Sequence, residues 1–385
     1  MAILLAFNPV AITQLFSFCV DGNVACILIC FLVVSCFIFI EVNWYYLRML
    51  IAILIIAINI KYTSLAFAAI YAIGFLIILL LYKKITTFKQ VFIAGLLSVI
   101  IGIFCCGINP YITNIQNKHN ALYGLSQTRT EILSLTPPLF KNLNRFQKLG
   151  LSLSAHQGWN AANTSTILSI TKIPFTFNKE DIHEAGDPEQ ELSGFGPFYG
   201  GALFVGIVLL IIAMISAHKT DAFRLVLLIS LVILATTFIV PDSWWMRFVP
   251  QLWLLPVIIL CLAEFIVVRG TKVLKGILYA SLTFSVLWAL LSVVFAISNT
   301  ERINYQMRQL KAINQPVEIK YSPNKSFNTN ELRFDEWGIA TTTKTINKPF
   351  EGSMLGSTTK FETPVALPQL PKPLLLQIGE RLSRK

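Results

Sequence analysis

Four charged side chains stand where the sequence is otherwise apolar or aromatic: Asp21, Lys61, Asp242 and Arg247. Asp21 follows Cys19-Val20 at the mouth of an apolar run, and Lys61 sits in a Lys61-Tyr62-Thr63 turn between two others. Asp242 and Arg247 share the segment Pro241-Asp242-Ser243-Trp244-Trp245-Met246-Arg247, with Pro250 after it. If these four met, their chemistry would be defined. The cations would hold a phosphate group, and a carboxylate would take the proton of an attacking hydroxyl. Taken singly, each is equally an interfacial anchor, with Trp244 and Trp245 forming an aromatic belt. Asp21, Lys61, Asp242, Trp245 and Arg247 are the candidate site residues, with a carboxylate as the base and the others binding substrate.

Other chemistry is poorly provided for. The chain has no G-x-x-x-x-G-K-[ST], no G-x-G-x-x-G after a strand, and neither H-E-x-x-H nor G-x-S-x-G. A nucleotide cradle and the common zinc and serine-hydrolase signatures are therefore not expected. His119, His156 and His183 lie far apart in one polar segment and read as surface residues. No metal site and no cofactor are expected, since Asp21-Gly22-Asn23 is too slight to invoke a divalent cation. The seven cysteines all lie in or beside apolar runs, which excludes a disulfide framework in the polar segments. They read as small buried hydrophobes. Asn163-Thr164-Ser165 is a glycosylation sequon, meaningful only if it faces an ER lumen.

The elements that must position these residues are apolar. Of 385 residues, 55% are hydrophobic and 13% charged, about half the charge of an ordinary soluble domain. Eight apolar runs appear, at 24–40, 46–60, 64–82, 91–108, 196–217, 225–240, 251–268 and 276–297. A spanning helix needs about 20 residues, so 46–60 and 225–240 lean on flanking Trp44, Tyr45 and Arg224. Residues 1–20 have no charge but break at Asn8-Pro9, giving either a ninth, kinked span or a short helix followed by an interfacial one. They lack the basic start of a signal peptide. Glu264 is the only charge well inside a run, five residues from Arg269, and reads as snorkelling to the interface. Ion-coupled transport, which needs ionisable groups near the midplane, is thereby a minor reading.

The formal charge is +11, with 31 basic against 20 acidic residues. Segment 109–195 is neutral and the tail 299–385 carries +5. A surplus beside apolar runs points to a membrane surface, not to nucleic acid. One set of short connections holds Arg48, Lys83, Lys84, Lys89, Lys219, Arg224, Arg269, Lys272 and Lys275, whereas the alternate set holds only Lys61 and Arg247. The basic set is expected in the cytoplasm. Asp21, Lys61, segment 109–195, the Pro241–Pro250 turn and the tail then share the outer side.

The fold expected is all-α: a polytopic integral membrane protein of eight or nine transmembrane helices. Residues 1–108 and 196–297 carry the helices, 109–195 is a large extracytoplasmic loop, and 298–385 is a small extracytoplasmic tail. Within the loop, helix-like stretches fall at Glu131–Leu135 and Phe140–Leu153, with an acidic run from Glu180 to Glu191. The tail mixes β-like runs such as Val317–Tyr321 with Pro364, Pro368, Pro371 and Pro373, and reads as a partly ordered appendage.

Several stretches carry a resemblance. Asn8-Pro9-Val10 with Gln14-Leu15-Phe16 and Val20-Asp21-Gly22, then Lys61-Tyr62-Thr63, resemble segments of the GT-C superfamily of membrane glycosyltransferases. Asn109-Pro110-Tyr111 with Thr113-Asn114 is similar to the opening of that superfamily's large outer loop, and Gly194-Phe195-Gly196-Pro197 to its close. Trp245-Met246-Arg247-Phe248 before Pro250 resembles a W-x-R-[YF]-x-P turn. The resemblance covers residues 8 to 297 through short, degenerate patterns. It implies transfer of a sugar from a polyprenyl-phosphate carrier to an envelope acceptor at the outer face of a bacterial inner membrane. It also implies an active-site role for Asp21 and donor-phosphate contacts from Lys61 and Arg247. The superfamily's acidic loop would precede everything seen here, so the chain would lack the N-terminal part of that fold. The alternatives are a non-catalytic or truncated assembly subunit that binds membrane lipids or partner helices, and a polysaccharide ligase or polymerase of another fold. The latter would use Arg129 and Arg145 with His119 or His156.

Overall fold

The described parts of the eight apolar runs fall largely on helix in the computed structural model, the form in which a chain satisfies its backbone where water is excluded. The structure describes residues 2–17, 19–121, 123, 136–156, 167–184, 192–193, 195–265, 270–321, 329–345, 353–355, 359–362 and 367–383. Glu131–Leu135, Asn163-Thr164-Ser165, Arg129, Gly194, Arg269 and the acidic run beyond Glu184 lie outside the described residues. Two compact units divide the chain, Met1–Ser292 and Val293–Lys385.

The first unit opens with two helices of five residues, α1 (Ala2–Ala6) and α2 (Pro9–Thr13). Neither is long enough to cross a membrane. Asn8 separates them by capping α2, accepting from the Val10 N–H, with Pro9 at the first helical position. Then come α3 (Asp21–Ile40), α4 (Trp44–Ile60), α5 (Tyr62–Leu81) and α6 (Ile85–Ile100). Extended Lys61 makes the α4–α5 turn, and Lys83, with φ at +56°, makes the α5–α6 turn. At Ile101 α6 loosens into a π-helical stretch to Cys106, and a second π turn spans Ile108–Ile112. The sequence gives no sign of this loosening. Asn59 reaches across from α4 and donates to the Gly102 carbonyl at 3.0 Å.

Beyond α7 (Thr113–Lys118) come α8 (Pro138–Lys141), α9 (Arg145–Leu153), α10 (Ile167–Ile170) and α11 (Lys179–Glu184). The helix-like stretch Phe140–Leu153 is in fact two helices. Asn144 caps α9 through a capping box with Gln147, which halts helix propagation from Lys141. An isolated bridge joins Ala155 to Thr171. Phe140, Leu151, Ala155, Ile170, Leu192, Trp244 and Trp245 pack into one core beneath this segment.

The remaining helices are α12 (Tyr199–Ala217), α13 (Asp221–Ile239), α14 (Leu254–Glu264) and α15 (Thr271–Ile313), which belongs to this unit up to Ser292. Nearly every residue of α14 is buried, so it occupies the middle of the unit. Glu264, at its end, pairs with Lys275 at 3.5 Å. Among the described residues, six helices are long and apolar enough to cross a membrane: α3, α5, Ile85–Cys106, α12, α13 and α15. Trp44–Ile60 and Pro250–Glu264 are shorter apolar helices.

The second unit departs from the all-helical expectation. Strands β1 (Val317–Tyr321), β2 (Thr341–Thr345), β3 (Ser353–Leu355) and β4 (Thr359–Glu362) form a sheet of order β2-β1-β4-β3. The β1–β2 pair is parallel, with α16 (Thr329–Trp337) in the crossover, and the other pairs are antiparallel. Met307, Leu310, Val317, Phe334 and Ile339 fill its core. The proline-rich end is held down by Tyr305, which donates to the Leu370 carbonyl at 2.8 Å, and Gln309, which donates to Pro368 at 2.6 Å. The last helix, α17 (Leu374–Ser383), carries Glu380 onto Lys372 at 2.8 Å. The tail is a small folded α/β body because periodic apolar positions on α15 and α16 meet β1.

Candidate functional site

Asp21 is the first residue of α3, where the helix dipole favours an anion. Gln14 fixes that helix start, its side-chain carbonyl accepting from the Gly22 N–H at 2.7 Å. Gly22 allows the contact, because a Cβ there would lie 2.9 Å from Ala11 Cα. From the α4–α5 turn Lys61 reaches Asp21, Nζ to Oδ1 at 2.6 Å, with the lysine side chain 29% exposed and the carboxylate 8%. The loop opening is tied to this turn. Asn114 donates to the Tyr62 hydroxyl at 2.8 Å, and the Tyr111 hydroxyl donates to the Ile58 carbonyl.

The tryptophan-rich turn supplies the second cation. Short 3-10 turns at Met246–Phe248 and Pro250–Trp253 hold Arg247 and are anchored by Asn8, which donates to the Pro250 carbonyl at 2.9 Å. Arg247 lies 4.7 Å from the centre of the Trp245 ring and 5.2 Å from that of Phe248. Its Nη1 donates to Cys19 Sγ at 3.5 Å, two residues before Asp21. Lys61 lies 5.1 Å from the centre of the same Phe248 ring. Phe248 is thus a shared cation–π platform for two cations from distant parts of the chain.

Three of the expected residues, Asp21, Lys61 and Arg247, come together with Trp245 against the guanidinium. Asp242 does not join them. Its Oδ1 accepts from the Trp244 indole N–H at 3.4 Å, and among the described residues no ion pair links it to Lys61 or Arg247. It is buried and braces the tryptophan-rich turn. Phe248, Cys19, Gln14 and Asn8 belong to the site without having been expected there. Phe248 and Asn8 lie inside the quoted motifs, whereas Cys19 carried no signal, since an isolated cysteine beside an apolar run is ordinary.

Of the wider set for a ligase or polymerase, Arg129 lies outside the described residues, and the other three make separate contacts. Arg145 donates to the Phe238 carbonyl, His119 closes α7 with φ at +53°, and His156 pairs with Asp181. Among the described residues no three of His, Cys, Asp or Glu converge as metal ligands. Gln14 Nε2, Ser243 Oγ and both polar atoms of Gln251 are buried without a partner in the segments that build the site. Such groups cost about 1–3 kcal/mol each unless a ligand or water meets them.

The first unit is helical, with helices long and apolar enough to cross a membrane and a polar cluster built from three separate turns. The chain matches no protein-family model, no curated protein sequence and no solved structure.

Proposed function

We propose that the chain is a glycosyltransferase-like membrane protein that moves a sugar from a polyprenyl-phosphate donor to an envelope acceptor. In this reading it sits in a bacterial inner membrane, with the two shorter apolar helices spanning alongside the six long ones. The lysine-rich turns face the cytoplasm, and Asp21, Lys61, the tryptophan turn and segment 109–195 face outside. The excess of nine basic residues over two in alternate turns supports that sidedness.

The observation that carries the proposal is the meeting of Asp21, Lys61 and Arg247 around Phe248. The acceptor oxygen forms a bond to the anomeric carbon, while its proton passes to Asp21 Oδ1. The bond from that carbon to the phosphate oxygen breaks, and the leaving phosphate keeps the electron pair, neutralised by Lys61 and Arg247. Without donor, Lys61 occupies the carboxylate. A phosphate draws Lys61 toward itself and frees Asp21 to act as base, so donor binding and activation are coupled. A second reading, a non-catalytic assembly subunit, draws on the same 2.6 Å bond, which leaves Asp21 little exposed.

The test is sugar transfer from a radiolabelled polyprenyl-phosphate sugar in membranes containing the full chain. Wild type forms labelled lipid-free product, and Asp21→Asn, Lys61→Ala and Arg247→Ala each abolish it. Equal product from all three variants would overturn the proposal, and lipid binding without any transfer by wild type would select the assembly subunit.

A further inference from the structure

A second polar cluster lies in segment 109–195, outside the site described above. Backbone pairing creates it: the His156 N–H donates to the Ile170 carbonyl at 2.7 Å, and the Lys172 N–H donates to Ser154 at 2.9 Å, around the Ala155–Thr171 bridge. The Ser193 N–H donates to the Ser152 carbonyl at 3.2 Å. These three bonds bring Lys172 Nζ to 3.0 Å from Ser193 Oγ. Ser193 is buried at 3% exposure, and its φ of +52° is a left-handed conformation that serine rarely adopts. Phe175, three residues after Lys172, is left-handed as well, at +67°, and a Cβ on Gly201 would lie 2.6 Å from its ring. Backbone strain of this sort persists where the surroundings over-determine it and clusters at functional sites.

Beside the pair, Asp181 is completely buried. Its Oδ2 accepts from the Asn178 N–H at 2.9 Å and meets His156 Nδ1 at 2.8 Å, while the Asp181 N–H donates to Asn178 Oδ1 at 2.8 Å. The exposed side of the cluster is formed by His156, with 17% of its side chain accessible, and by half-buried Lys172.

We propose that Ser193 and Lys172 form a nucleophile–base dyad that accepts the acyl group of a carboxylic ester. The Ser193 hydroxyl donates its proton to the neutral Lys172 amine as Oγ forms a bond to the ester carbonyl carbon. The tetrahedral intermediate collapses, the ester C–O bond breaks, and the Lys172 ammonium returns the proton to the departing alkoxide. The products are an alcohol and acyl-Ser193. Water, or a second alcohol, then releases the acyl group by the same proton path in reverse. The lysine suits the role. Burial pushes its amine down to about 8, against an opposing pull from the Asp181 charge. A base that titrates near the working pH is the efficient kind. Among the described residues Asp181 acts on the Lys172 charge and pairs with His156, whose N–H is tied to Ile170. The proposal does not rest on the Asp21 cluster.

The experiment uses the full chain in lipid nanodiscs and a fluorophosphonate probe, with the labelled residue identified by peptide mass spectrometry. Wild type is labelled at Ser193, at a rate that rises with pH to a plateau above about 8. Ser193→Ala abolishes the label. Lys172→Arg keeps a donor to Ser193 Oγ but cannot accept a proton, and lowers the rate by about 100-fold or more. Should that variant fail to fold, the wild-type pH profile decides alone. No label on Ser193, a rate flat from pH 6 to 10, or full labelling of folded Lys172→Arg would overturn the dyad.

Discussion

Lys61 and Lys172 are both drawn onto an oxygen, at 2.6 Å from Asp21 and 3.0 Å from Ser193, but the partners differ in charge. Lys61 meets a carboxylate at the start of a helix and the face of an aromatic ring. Lys172 meets the neutral hydroxyl of buried Ser193, and burial pushes its amine down to about 8. The chemistry open to each lysine follows from its surroundings: Lys61 stands beside a second cation where a phosphate could be held, and burial gives Lys172 an amine suited to proton transfer. The two sites share support, since Ala155, Ile170 and Leu192 pack in one core with Trp244 and Trp245.

That shared core is the most vulnerable part of the comparison. Trp244→Ala, at a position with no exposure, should cost about 3–5 kcal/mol and disable both sites together. Thermal unfolding in detergent, with transfer and probe labelling measured on the same samples, checks it. Loss of one function alone would show that the sites are built independently. Within the first site, Asp21→Asn should lower transfer by about 10²–10⁴-fold, read from product formation with the lipid-linked donor.

Lys172 also makes stability depend on pH. Its ordinary value is 10.5 and its folded value about 8, so between these the unfolded chain binds more protons. Stability should therefore rise as pH climbs from about 8 to 10.5 and be flat below 8 for this group. Lys172→Met should remove the slope, as followed by the unfolding midpoint. A smaller change is Gly22→Ala, whose Cβ would press on Ala11 Cα at 2.9 Å and on the Val10 carbonyl at 3.3 Å. A cost of about 1–3 kcal/mol is expected, with Asp21 displaced from Lys61. Smallest is Asn8→Ala, which loses the α2 cap and the bond to Pro250, about 1 kcal/mol in the same assay.

The membrane helices were legible because apolar composition alone marks them. Lys61 and the tryptophan turn were legible because charge beside such runs is rare. Strand β1 matched its run at Val317–Tyr321. What escaped depends on distant contacts. Nothing local says that Asp242 will turn to Trp244, or that Phe248 will lie under two cations. The Asn144–Gln147 capping box was readable in principle and marks where the Phe140–Leu153 stretch divides. Lys172 and Ser193 stand 21 residues apart in a polar segment, and backbone bonds from each to the stretch 152–156 bring them together. The tail's sheet joins a parallel to two antiparallel pairings, which short alternating runs do not specify.

The most direct measurement is the affinity of the full chain for a polyprenyl phosphate, by native mass spectrometry. Lys61→Ala and Arg247→Ala should each weaken it by about 10-fold or more, and together by less than the product, as expected of groups sharing one ligand. Asp21→Asn should tighten it by releasing Lys61. Unchanged affinity in both cation variants, or weaker binding in Asp21→Asn, would contradict a single phosphate site built from these three turns.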